Sequence, residues 1–146
     1  MAVLISNRQS KIRITQKKMV QKAQAILDAL ESPDAELSIV IVDDAHIAEL
    51  NQCYLNRSGP TNVIAFPMRT GDFSDITPHL LGDVVISAET ARLEADAMGI
   101  RFALRLSELL VHGVLHLFGY DHEKSEKESS RMQQKSDELM GIIAER

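Results

Sequence analysis

The chain has 146 residues, a single-domain length that can bury an adequate core. Its 45% hydrophobic and 25% charged content is that of an ordinary globular protein, and no apolar run approaches the roughly 18 residues a membrane-spanning helix needs. The net charge of −5 argues mildly against a nucleic-acid partner, but residues 1–27 carry +6 and the remainder −11.

The positive segment holds Arg8, Lys11, Arg13, Lys17, Lys18 and Lys22 and no acidic residue. Charge asymmetry of this kind marks either a nucleic-acid contact surface or a solvated helix face, and the sequence weighs the two equally. The apolar stretch after Met1 is too short for a secretory signal. One cysteine, Cys53, excludes an internal disulfide and suits a cytoplasmic location.

In chain order, Ala2–Asn7 reads as a strand and Ile12–Ile14 as a short extended piece. Thr15 is a candidate N-cap for a helix to about Leu30, with Met19, Ala23, Ile26, Leu27 and Leu30 at helical spacing. Ser32-Pro33-Asp34 breaks it. Leu37–Val42 is a β-branched apolar run, so a buried strand is expected. Asp43 and Asp44 open a second helix to about Tyr54. On that helix Cys53 joins Ile47, Leu50 and Tyr54 in an apolar stripe, which predicts a buried thiol.

Asn56-Arg57-Ser58-Gly59-Pro60 is a loop by composition. Asn62–Phe66 reads as a strand stopped by Pro67. Arg69–His79 is polar and irregular, suited to a loop beside a site. Leu81–Ser87 is a further strand and Ala88–Met98 a small-residue helix closed by Gly99. Phe102–Phe118 is the longest apolar helix, hence a central one. Glu123–Ile143 is the last helix, with Met132, Leu139, Met140 and Ile143 on one face. These elements predict one α+β domain over residues 1–146: a mixed sheet of about four strands packed by helices.

The most informative segment is His112-Gly-Val-Leu-His116-Leu-Phe-Gly-Tyr-Asp-His122, with the pattern H-x-x-x-H-x-x-G-x-x-H. Residues four apart share a helix face, so His112 and His116 can aim two imidazoles at one point. Gly119 can end the helix in a left-handed turn that brings His122 round as a third ligand. Three imidazoles and one open position describe a catalytic zinc site, one ion per chain. A core helix with two satisfied histidines explains neither the turn nor the third His.

The spacing matches that of the metzincin peptidases, so the helix is zincin-like. In those enzymes the residue after the first His is the Glu general base. Here it is Gly113, which disfavours peptide hydrolysis by that route. The phrase His-Gly-x-Leu-His-Leu-x-Gly-Tyr-Asp-His instead resembles the YbeY-type endoribonucleases, the bacterial rRNA maturation factors. Leu55–Pro67 is similar to another signature of that family, an Arg in a loop followed by Pro-Thr-Asp-Val-Leu-Ser-Phe. Two departures stand out: the family's Asp is Asn62 here, and its Ser is Ala65. Asn62 can orient a partner, but it is no base near neutral pH. Leu81–Ser87 resembles the family's Gly-Asp-Ile-x-Ile-Ser strand.

The resemblance implies a metal-dependent endoribonuclease acting on single-stranded RNA. It implies roles in maturing the 3′ end of small-subunit rRNA and in ribosome quality control, with ribosome-assembly proteins as partners. It places Arg57 in the active-site cleft, where a guanidinium can clamp a phosphate and stabilise developing charge. Arg57 and His116 are the candidate catalytic residues. Arg57, Lys17, Lys18 and Lys22 are candidate RNA contacts. Asp83 and Asp121 are candidates for orienting a ligating His through its second ring nitrogen. The metal would polarise a phosphate oxygen and lower the pKa of a bound water. Two alternatives remain open: a metallopeptidase whose base is recruited from elsewhere, such as Glu108, and a non-catalytic ribosome-assembly module with structural zinc.

Overall fold

The computed structural model describes residues 3–68, 80–121 and 125–144. Its elements run β1 (Val3–Asn7), α1 (Gln16–Ala29), β2 (Glu36–Val42), α2 (Asp44–Leu55), β3 (Val63–Pro67), β4 (Leu80–Ser87), α3 (Ala88–Met98), α4 (Phe102–Leu117) and α5 (Glu126–Ile143). The strands form one mixed sheet in the order β1-β2-β4-β3. The pairs β1–β2 and β2–β4 are parallel, and β3 runs antiparallel to β4. This is the α+β architecture expected from the pattern. The stretch expected to form a loop, Arg69–His79, lies outside the described residues.

Alternation along the strands divides the core. Ile39, Val84 and Ile86 join the main cluster with Ile26, Leu27, Leu110, Val114, Leu115 and Leu139. Val42, Ile64 and Val85 join Ile47 of α2 in a smaller cluster. The apolar helix α4 packs against α3, α5, β3, β4 and α1, so the central helix expected from its composition is central. A helix held on so many sides fixes the direction of every side chain it carries.

Several local expectations give way to tertiary contacts. Ile12–Ile14 forms no strand, because the Gln9 side chain captures both backbone groups of Ile12: Nε2 donates to its carbonyl at 2.8 Å and Oε1 accepts from its N–H at 2.9 Å. Thr15 precedes α1, but its side chain makes no capping bond. Cys53 is exposed rather than buried, and so is Tyr54, at 68%. Burial on α2 falls instead on Ile47 and Asn51. Pro67 is the last residue of β3 rather than its stop. β3 is an edge strand, where a missing N–H costs no ladder bond.

Candidate active site

Helix α4 ends in the turn that the sequence predicts. Gly119 has φ +94°, its N–H donates to the His116 carbonyl at 3.0 Å, and Tyr120 N–H donates to the Leu115 carbonyl at 3.1 Å. These bonds satisfy carbonyls that the helix end leaves open, in a backbone conformation that glycine adopts without strain.

His112 and His116 stand one turn apart on the last two turns of α4. Their Nε2 atoms are 3.0 Å apart, with ring centroids 4.5 Å apart and the planes at 72°. Two nitrogens bound at 2.0–2.1 Å to one tetrahedral ion stand about 3.3 Å apart. The two rings therefore already converge near ligand spacing, and imidazole nitrogen suits zinc. His122 lies outside the described residues. Among the described residues there is no group of three His, Cys, Asp or Glu side chains placed to hold a metal.

Gly113 faces the sheet. A Cβ there would meet Val84 Cγ1 at 2.6 Å and Val63 Cγ2 at 3.3 Å. The position that carries a general base in metzincins is thus pressed against β4 with no room for any side chain.

A cleft of about 580 Å³ opens between α4 and β3, lined among others by Arg57, Asn62, His112, Gly113, His116 and Asp121. Arg57 reaches it from the loop after α2. Asn56 ends α2 in the left-handed region at φ 53°, and Arg57 N–H donates to the Asn51 carbonyl at 3.2 Å. The Asn51 side chain, 5% exposed, donates to the Gly59 carbonyl at 2.9 Å. One buried asparagine thus ties both ends of the Arg57 loop to α2. Sequence reasoning missed it. Its signal was a polar residue four positions after Ile47, on the face that packs.

Asn62 is held from outside the cleft. Its Nδ2 donates to both Glu94 carboxylate oxygens at 3.2 Å. Arg105 bridges Glu94 and Glu108, at 3.0 Å to each. Burial alone would lower the Arg105 pKa. The hydrogen bonds that Arg105 donates to Glu108 and Glu94 outweigh it and hold the guanidinium charged. Glu108, the residue considered as a recruited peptidase base, is engaged by this arginine and lines an adjoining groove that His112 shares. Glu94 and Arg105 were not singled out in the sequence.

Two sequence expectations land elsewhere. Asp83 does not line the cleft that holds His112 and His116. Val84 occupies the α4 side of the strand, so Asp83 points to the opposite face, in a cavity shared with Arg8 and His46. Lys18 and Lys22 line a separate pocket between α1 and α4, and none of Lys17, Lys18 and Lys22 lines the cleft. Arg57, Asn62, Asp121 and the two described histidines are brought together.

The family described as endoribonuclease YbeY matches residues 4–144. The chain belongs to the YbeY family. The endoribonuclease YbeY of Geobacter sulfurreducens is 49% identical over 144 residues, covering 98% of this chain and 96% of that protein. That of Persephonella marina is 37% identical, with 97% and 92% covered. The solution structure of TM1509 from Thermotoga maritima superposes with a TM-score of 0.67 at 25% identity, over 97% of this chain and 88% of that one. Membership of the YbeY family makes the protein a nuclease, a hydrolase of phosphodiester bonds. The resemblance carried by the histidine and Arg57 motifs therefore extends across almost the whole chain.

Proposed function

We propose that the cleft cleaves single-stranded RNA using one zinc ion held by His112, His116 and His122. We further propose that its substrate is ribosomal RNA, cut in maturing the 3′ end of the small-subunit RNA and in ribosome quality control. The setting is the cytoplasm, among ribosome-assembly proteins. The observation that carries the catalytic part is the convergence of His112 and His116, Nε2 to Nε2 3.0 Å, in the same cleft as Arg57. When bound, such an ion supplies a Lewis acid for a phosphate oxygen and makes a water nucleophilic near neutral pH.

The chain's own residues do the rest. Arg57 grips the scissile phosphate with its planar fork and balances the charge that grows on it. Asn62, oriented by Glu94, offers the cleft hydrogen bonds but no base. Asp121, which lines the cleft, orients an imidazole or a water in this reading. Lys17, Lys18 and Lys22 give the RNA a second stretch of positive surface outside the cleft. The absence of room at Gly113 and the Arg105 grip on Glu108 both weigh against a peptidase.

The test follows one labelled single-stranded RNA and one unstructured peptide with wild type, His116→Ala and Arg57→Ala. His116→Ala is expected to lose most bound zinc by metal analysis, and cleavage with it. Arg57→Ala is expected to keep the metal and the fold while losing about 10²–10³ in rate. RNA cleavage that survives in His116→Ala would sink the catalytic assignment. Full metal occupancy with no cleavage would favour an assembly module.

A further inference from the structure

A second pocket, of about 140 Å³, lies between α1 and α4, away from the cleft. Arg13, Lys18 and Lys22 bring positive charge to it, and no carboxylate among the described residues lines it. Neither helix carries an acidic residue in its first turn. Lys22 Nζ donates to Ser107 Oγ at 2.8 Å, and that hydroxyl donates onward to the Ala103 carbonyl at 3.0 Å. The ammonium is thereby fixed at the pocket wall with two further N–H donors to spare. The Thr15 hydroxyl, also lining the pocket, makes no capping bond.

The floor has the opposite character. Met19, Leu106 and Leu110 are buried there, and Phe102 forms part of the wall. The Phe102 ring is held by Arg92, whose guanidinium carbon lies 4.8 Å from the ring centroid. Burial lowers the Lys22 pKa, and Lys18 and Arg101 lower it further. The positive charges here repel one another, and no described residue of the lining offsets them.

We propose that this pocket binds the phosphate of a nucleotide unit, with the sugar and base lying on the apolar floor. Three cationic side chains lining one pocket with no competing carboxylate among the described residues suit a multi-oxygen dianion better than a carboxylate, which one arginine can satisfy. The mixed lining suits an anion attached to a flat or apolar body rather than a bare ion. The unit comes from a free mononucleotide or from one residue of an RNA chain. Lys18 and Lys22 are also proposed above as RNA contacts, so an RNA source for the unit rests on that reading, whereas binding itself needs neither the histidines nor Arg57.

The experiment titrates adenosine 5′-monophosphate, inorganic phosphate and adenosine separately into the protein, followed by backbone amide NMR shifts and calorimetry. The monophosphate is expected to shift the amides of residues 15–22 and 102–107 saturably, inorganic phosphate to bind the same place more weakly, and adenosine to bind far more weakly. Lys22→Met is expected to weaken the monophosphate by about tenfold or more. Should that variant fold poorly, Arg13→Gln at an exposed position is expected to weaken it in the same direction. A non-cleavable 2′-O-methyl oligonucleotide that displaces the monophosphate assigns the unit to an RNA chain; failure to displace it assigns the unit to a free nucleotide. Adenosine binding as tightly as its monophosphate overturns the proposal. So do shifts confined to the histidine cleft, no saturation, or both variants binding like wild type.

Discussion

A methyl group at position 113 would stand 2.6 Å from Val84 Cγ1, closer than packed carbon atoms tolerate. Gly113→Ala should therefore force α4 away from β4. Overpacking of this kind costs about 1–3 kcal/mol, and alanine's better helix propensity returns up to about 1 kcal/mol. A net loss in urea unfolding is expected, with weaker zinc binding as the two imidazoles shift. Unchanged stability and metal affinity would show that the packing relaxes freely. The histidine motif was legible in the sequence because its geometry is local: a four-residue helical spacing and a glycine turn. The partners of Asn62 were not, since Glu94 lies 32 residues away and only the folded sheet and helices join them. The side of the sheet on which Asp83 lies was not legible for a related reason. It precedes Val84-Val85-Ile86, an unbroken apolar run in which alternation exists but no polarity says which side faces α4.

At the scale of elements, strand and helix positions were largely readable, because apolar periodicity and Gly or Pro punctuation are properties of the sequence itself. What an element packs against was less so. Helix α2 shows the difference. Its apolar stripe predicted a buried Cys53, but the cluster it covers is small, and Cys53 and Tyr54 at its far end stay exposed. The buried position that matters is Asn51. Asn51→Ala removes the donor to the carbonyl of the exposed Gly59 and is expected to cost about 0.5–1.5 kcal/mol. It should also loosen the loop that presents Arg57, so RNA cleavage should fall while zinc stays bound. Parallel rate and metal measurements check this, and full activity would mean that the loop holds its shape without the bond.

Across the whole molecule, positive charge gathers on the first 27 residues of a chain that is otherwise acidic. Lys17 and Lys18 are exposed on α1, outside the cleft. Reversing both to Glu is expected to weaken single-stranded RNA and flatten the salt dependence of binding, by about 0.7 in log–log slope for each phosphate that the protein no longer neutralises. An unchanged slope would mean that this face is only solvated. The sequence showed the asymmetry but left its meaning balanced, because charge alone does not say which surface a helix turns outward.

The two walls of the cleft differ in how they are anchored. His112 and His116 belong to a helix whose neighbours Val111, Val114 and Leu115 are fully buried, whereas Arg57 sits on an exposed loop tied by two hydrogen bonds to Asn51. In deuterium exchange, the α4 amides should open only with global unfolding, while those of residues 56–60 should exchange through local fluctuations at far lower free energy. Equal protection of the two walls would contradict this. An anvil and a yielding jaw follow from such an arrangement. A bulky, irregular polymer can be admitted by deflecting the loop alone, while the His112 and His116 ring nitrogens keep their spacing throughout.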